Sequence, residues 1–588
     1  MRKLSVIIFL LSLPLAESAY AVEAQQVIWG YDGKVIPERV NLLSVLLSNQ
    51  EETPYEGAIV VYKTDPIGRR IGAQLVQPCF ISPYSSRWVQ FFVYVSEDWT
   101  KWIIAWGEGA RDRIEAPAVR FGPPARIYLD QPDSPFSAKA NFKTFPENLF
   151  PPTAAGADAL DSVILDHCPR WEPLRQKAFL SWLNRGGTLH LLKTAEGKYP
   201  QFPPDMAELN NPADRFSVGE GEVVRHSLAQ QALTEQVLTG MGFPAPELKT
   251  SDNPSIHRLE DHLFNLMKSL DTPERNWTLI VLLALMYMVL LCPVNYLFGR
   301  KRGRDFWVTI LFLTALVASF SFIFYEVGHR GYGETTHVYT LSYARPLSDD
   351  TYDVTQWSSV FVTSGGYYTI SHPSPYSIYS VCEESELVNG IISNGKGGNF
   401  SVDIPLYSSR AFLHRGELKG DNTRLEVVEW EVKDGLKKLS LAPQKGFPED
   451  ILEMWVLYDE HFYKMTLADG LIKIASEDDT GKHIDDFLSR YELSSFDYYY
   501  GSYSRAREEP GELFRSKALR PLIAYALGGR NVFSQYVESA KISRNDRAQI
   551  FIFARSPETF HLTGKGLGKD KSWVLYHREV ANPRLRKE

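Results

Sequence analysis

The feature that most restricts this chain lies at its middle. Two uncharged apolar runs, Trp277 to Phe298 and Phe306 to Tyr325, flank the segment Gly299-Arg300-Lys301-Arg302-Gly303-Arg304-Asp305. Each run is long enough to cross about 30 Å of hydrocarbon as a helix. Neither has the polar face that a helix in water requires. Trp277, Tyr296, Trp307 and Tyr325 fall near the ends of the runs, where amphipathic rings favour the membrane interface. The four cations between the runs mark a cytoplasmic loop. The pattern predicts a transmembrane hairpin, with helices over 277–298 and 306–325 joined by a basic loop over 299–305.

The N-terminus sets the orientation of that hairpin. Met1-Arg2-Lys3 precedes an apolar stretch from Leu4 to Leu15, and Ala19-Tyr20-Ala21 supplies small residues before Val22. A basic start, a short apolar region and an A-x-A site are the parts of a secretory signal peptide, here 1–21, with Ala19 and Ala21 at the cleavage site. Residues 22–276 and 326–588 are then expected on the outer side. The expected location is the bacterial inner membrane, crossed twice, with most of the chain periplasmic.

A length of 588 residues is too great for one hydrophobic core, so several domains are expected. A net charge of −8 gives no basic surface for nucleic acid. The cysteines, Cys79, Cys168, Cys292 and Cys382, are widely spaced and form no C-x-x-C pair. That spacing speaks against a disulfide framework and against a structural zinc site.

Residues 26–118 alternate short apolar runs with turn residues. Gly57 to Tyr62, Trp88 to Val95 and Trp102 to Trp106 are separated by Asp65-Pro66, Ser82-Pro83 and Gly107-Glu108-Gly109. This spacing predicts an antiparallel β-sandwich. After Pro123-Pro124 the texture changes. Strands are expected at Ala125 to Leu129 and Ser162 to Asp166, then an amphipathic helix over Trp171 to Asn184, a stop at Gly186-Gly187, and a strand at Thr188 to Leu192. Strand, helix, double glycine and strand make a βαβ unit, which places an α/β domain over 119–250. A juxtamembrane helix is expected within 251–276. The region 330–588 reads as rich in strands, with a hairpin at Met454 to Met465, a buried strand at Ala548 to Ala554, and helices near Ile484 to Tyr491 and Leu513 to Ala526.

The stretch Asp158 to Leu192, with its W-x-x-x-G-G-x-L turn at Trp182 to Leu189, resembles the glutamine-amidotransferase-like domain of certain bacterial envelope proteins. Phe216 to His226 resembles a later glycine turn and strand of that domain, and Pro293-Val294-Asn295-Tyr296-Leu297 resembles the P-x-N-Y-L hairpin of the same membrane proteins. The resemblance implies a multidomain architecture: β-sandwich, flavodoxin-like or amidotransferase-like α/β domain, two transmembrane helices, and a β-rich C-terminal region. Proteins of this kind are often associated with MoxR-type ATPases or ABC-transporter components, which implies membership of a membrane complex beside the lipid bilayer.

The candidate catalytic residue is Cys168, which follows a predicted strand where a nucleophile elbow would sit. Its context, Asp166-His167-Cys168-Pro169-Arg170, lacks the glycines of such an elbow. Pro169 also removes the N–H that would help form an oxyanion hole. His257 and His262 are spaced i, i+5, so they diverge around a helix and do not reproduce H-E-x-x-H; they read as a solvated helix face. Pro293 and Asn295 read as hairpin geometry or as a contact for another membrane subunit. The aromatic segment Tyr498 to Tyr503 reads as a surface loop. No cofactor or metal is expected. The expected function is a non-catalytic envelope scaffold or a ligand- or partner-binding subunit. The alternatives are a divergent hydrolase or amidotransferase using Cys168, or a glycan-binding module.

Overall fold

The computed structural model describes residues 22–582, apart from 108–109, 132–140, 195, 229–231, 247–261, 268–276, 295, 297–305, 333–335, 349, 382–386, 434, 476–480, 490–511 and 528–546. Strands dominate, gathered into four sheets.

The first sheet has three strands, Val22–Trp29, Arg39–Asn49 and Ser86–Val95, all antiparallel. Facing it is a seven-stranded sheet whose strands come from both sides of the apolar runs along the chain. Tyr55–Thr64, Arg70–Ile81, Lys101–Trp106 and Asp112–Glu115 precede the apolar runs; Gly366–Ser371, Gly390–Ser393 and Asn399–Ile404 follow them. The seam is a parallel pairing of Ile391 with Gln74 and of Ile392 with Leu75. The apolar core between the sheets is equally mixed, combining Leu43, Val45, Ile59 and Val61 with Ile370, Ile392, Phe400 and Val402. The sandwich thus draws strands from beyond 118, and one of its pairings is parallel.

The α/β unit is a six-stranded sheet. Its spatial order is Lys143–Pro146, Ala125–Asp130, Leu160–Leu165, Thr188–Leu191, Gly221–Arg225, Arg215–Val218. The first five run parallel and only the last is antiparallel. Numbered along the chain, the parallel strands take the order 2-1-3-4-5, the doubly wound flavodoxin-like arrangement. The helix over Trp171 to Asn184 begins two residues later, at Pro173–Asn184, because proline fits the first helical turn and lacks the N–H that the helix would leave unpaired there. Phe179, Trp182 and Leu183 from it are buried on the sheet. Gly186 ends the helix at φ 101°, and a Cβ on Gly187 would lie 2.5 Å from the Trp182 ring. Gly221 has a similar reason: a Cβ there would lie 2.0 Å from the Leu183 carbonyl oxygen.

The C-terminal region forms a thirteen-stranded sheet, beginning with His337–Pro346 and ending with Lys569–Ala581, which pair in parallel. The hairpin Ile451–Tyr458 with His461–Ala468 turns through Asp459 and Glu460, both at positive φ. That is the two-residue turn whose twist matches the flanking strands. Helices at Ile484–Ser489 and Glu512–Ala526 cover part of this sheet. Residues Leu263, Phe264, Leu266 and Met267, ahead of the first apolar run, are buried in the same core as Phe487, Leu519 and Leu522. His262 is only part-exposed, its Nε2 lying 3.4 Å from the Lys517 carbonyl, so it does not occupy the solvated face that the sequence suggests.

The apolar runs differ from each other. Phe306–Tyr332 is one continuous helix, and its Ile310–Val327 portion is long and apolar enough to cross a membrane. The first run is α-helical only over Trp277–Val289 and then widens to a π-helix at Leu290–Val294, where Pro293 withdraws an N–H donor. Thirteen α-helical residues span about 20 Å. One helix among the described residues therefore meets the length criterion, where the sequence predicts two. The two helices nonetheless pack together, with the Tyr287 and Phe320 rings 5.0 Å apart.

Candidate functional site at the carboxyl edge of the parallel sheet

In a 2-1-3-4-5 sheet the strand order reverses between the first and third strands, here Ala125–Asp130 and Leu160–Leu165, and a crevice opens beyond their carboxyl ends. The segment Asp166-His167-Cys168-Pro169 leaves the sheet at that point. His167 is held from both sides: Nδ1 lies 2.8 Å from Asp166 Oδ1 and Nε2 lies 3.0 Å from Glu147 Oε2. Burial works against a charge on this imidazole, but hydrogen bonds to the two carboxylates, together with their charges, outweigh it and raise the pKa to about 9. Burial likewise pushes Asp166 up, and hydrogen bonds from His167 and Tyr128 more than reverse that, holding it below the usual carboxylate range.

Cys168 is half-buried, and its Sγ–H points to the Pro169 carbonyl at 3.9 Å. Burial, reinforced by the Glu147 charge, raises its pKa above that of a free thiol. At neutral pH this thiol stays protonated, and the adjacent imidazole already carries its proton, so His167 is not available as the base that thiol activation needs. Glu147 fixes the surrounding loop as well: its backbone carbonyl accepts from Trp171 Nε1 at 2.7 Å. The arrangement is a satisfied ionic knot at the place where such folds bind ligands.

A second titratable pair lies behind it. His190 Nδ1 sits 3.0 Å from His226 Nε2, and the edge of Phe243 closes on the His190 ring. Burial, then the charges of His226 and Arg126, lower the His190 pKa to about 3, so the ring is neutral. Among the described residues no group of three His, Cys, Asp or Glu side chains is placed to hold a metal ion. Cys79, Cys168 and Cys292 are free thiols, and Cys382 lies outside the described residues.

Of the residues singled out in the sequence, Cys168 lies three residues past the carboxyl end of the strand Leu160–Leu165, Pro293 lies in the π-helical turn, and Tyr296 is exposed beside it. Asn295, Arg300, Lys301, Arg302 and Arg304 lie outside the described residues, as do Ala19, Ala21, His257 and the Tyr498 to Tyr503 segment. Sequence reading missed Glu147 and Tyr128. Both are remote from Cys168 along the chain, and nothing in their local pattern distinguishes them from ordinary strand and turn residues.

No family model and no curated protein matches the chain. Among solved structures, a cycloisomaltooligosaccharide glucanotransferase from Paenibacillus sp. aligns at 7% identity and a TM-score of 0.16, over 77% of this chain and 98% of that one. A glycosyl hydrolase family 2 member from Bacteroides cellulosilyticus aligns at 10% identity and a TM-score of 0.14, over 74% and 70%. A β-glucosidase from Listeria innocua aligns at 12% identity and a TM-score of 0.13, and the chain spans 16% of its length. Similarity at this level carries no inference about fold or function.

Proposed function

We propose that this chain is a non-catalytic, membrane-anchored scaffold or binding subunit of a bacterial envelope complex. The observation that carries the reading is the state of the crevice: His167 is clamped as an imidazolium between Asp166 and Glu147, Cys168 remains a thiol, and Pro169 offers no N–H to an oxyanion. A cysteine hydrolase needs a thiolate, an imidazole able to take the thiol proton, and an N–H donor for the oxyanion.

The rest of the molecule supports a scaffold. Strands from before and after the apolar helices interleave in one sheet, so the outer parts form a single body rather than two tethered modules. Leu282, Leu285, Met288 and Val289 of the first apolar helix, and Trp307, Leu311 and Phe322 of the second, are exposed apolar side chains. Surfaces of that kind need lipid or protein around them. We place the pair as a two-pass hairpin in the inner membrane, with the body in the periplasm and with other membrane proteins, of MoxR-linked or ABC-transporter type, as partners.

In-cell crosslinking of the tagged protein, followed by membrane purification and mass spectrometry, tests the complex. A reproducible set of membrane partners is expected; recovery of the protein alone would sink the reading. Cys168→Ser is expected to leave both the partner set and the cellular phenotype unchanged. A null phenotype from a stably folded Cys168→Ser protein would return the enzyme reading. A periplasm-dependent reporter fused after Glu588 is expected to be active.

A further inference from the structure

We propose that the carboxyl edge of the parallel sheet carries an anion site built on Lys193, Tyr199 and Arg225, and that its ligand presents a phosphate group. Arg225 ends the strand Gly221–Arg225, and Lys193 follows the neighbouring strand Thr188–Leu191, whose Leu191 pairs with Arg225. The two cations converge on one ring: Arg225 Cζ is 5.0 Å from the Tyr199 centroid and Lys193 Nζ is 5.8 Å from it.

Their company is what sets them apart. Arg126, Arg185, Arg215, Arg345 and Arg415 of the same body each meet a carboxylate. Among the described residues neither Lys193 nor Arg225 does. Arg225 Nε is buried with no acceptor, and its Nη2 reaches only the Leu209 carbonyl at 3.4 Å. Its backbone is tied down, with the N–H donating to the Asp214 carbonyl at 2.7 Å. A buried guanidinium N–H without a partner is destabilising, and two cations sharing one ring repel each other. An anion between them relieves both penalties. A rigid guanidinium fork beside a mobile ammonium is the combination that recognises phosphate oxygens. The position lies beyond the carboxyl ends of the fourth and fifth parallel strands, on the same edge of the sheet as the switch point.

The site deepens the binding-subunit reading and rests on it. The test is calorimetric titration of the full-length, detergent-solubilised protein with inorganic phosphate at constant ionic strength, with chloride as the control. Saturable binding is expected, weakened roughly ten-fold in Lys193→Gln as expected for loss of one charge-assisted hydrogen bond. Arg225→Gln should weaken it at least as much. Lys193 is exposed, so its variant tests the site without disturbing the fold. A parallel titration uses short-chain phosphatidylglycerol: tighter binding than phosphate assigns a lipid headgroup, and weaker binding assigns a soluble phosphorylated ligand. No saturable binding of either probe, or unchanged binding in Lys193→Gln, overturns the site. Crosslinked partners recovered equally from wild type and Lys193→Gln in that case would leave the scaffold reading standing. Phosphate binding without any partners would uphold the site and sink the complex.

Discussion

The two faces of the strand Ser408–Lys419 join the same region of the chain to its neighbours in opposite ways. Side chains alternate along a strand, so Ala411, Leu413, Arg415 and Glu417 face the α/β unit, while Phe412 and His414 face the sandwich. The first face is ionic. Arg415 meets Asp353 at 2.9 Å and Asp158 at 3.1 Å, and Arg185 bonds Asp158 and lies 3.3 Å from Asp353. Asp158 and Arg185 belong to the α/β unit, and Asp353 and Arg415 to the C-terminal sheet, so four buried charges alternate across the junction. Arg345 with Glu220 and Lys177 with Glu417 extend the contact. The second face is apolar and neutral. Phe412 packs edge-on against Phe400 at 5.5 Å, and His414 stacks on His372 at 3.6 Å between Gln356 and Ser377. A buried ion network fixes which surfaces meet but is intolerant of losing one member. A neutral packed face is tolerant of small changes but intolerant of charge.

Four variants probe that contrast. Arg415→Ala strips two aspartates of a partner and should cost about 3–5 kcal/mol of stability, read by chemical denaturation of the detergent-solubilised protein. Arg415→Met combined with Asp158→Leu removes one charge of each sign and should recover most of that loss. If the double variant is as unstable as the sum of the single ones, the junction is not a coupled network.

The neutral face should fail in acid. Burial, helped by the charges of His372 and Arg415, holds the His414 pKa well below its ordinary value, and burial lowers that of His372 to about 3. The unfolded chain takes up these protons below about pH 6.5 and the folded one does not. Their contribution is therefore complete above that pH and is lost as pH falls towards 3, at about 1.4 kcal/mol per pH unit for each ring. His414→Gln should flatten the acid limb of the stability profile by one such increment. An unchanged limb would mean that the stacked pair is already protonated in the fold.

The smallest effect is expected at the rim of the ionic face. Lys177 is well exposed against Glu417, and Lys177→Gln should change stability by about 0–1 kcal/mol. A larger loss in the same denaturation assay would extend the buried network to the surface.

The local elements were largely readable from the chain. Gly186-Gly187 after Trp182 announced the end of a helix, and the helix ends there. The alternation of Met454 to Met465 announced a hairpin, and one forms. The crevice was half readable: Cys168 and Pro169 declared a defective elbow, but Glu147, which settles the charge of His167, left no trace. The first apolar run reads in the sequence as a full span, but its α-helix ends at Val289 and a π-helical turn holding Pro293 follows. Lys193 and Arg225 lie 32 positions apart, and only the parallel pairing of their strands brings both to Tyr199.

The sequence by itself determined what depends on neighbours along the chain: long uncharged apolar runs, strand periodicity, and the glycine and proline positions that start and stop elements. Tertiary structure alone decided what depends on residues tens to hundreds of positions apart. It set Ile391 beside Gln74 in one sheet and Asp158 between Arg185 and Arg415, and it fixed the opposite protonation of His167 and His414. The physical reason is that periodicity and backbone conformation are local, whereas burial and charge pairing belong to the folded environment. The same imidazole is a cation between two carboxylates and a neutral ring inside a β-sheet core.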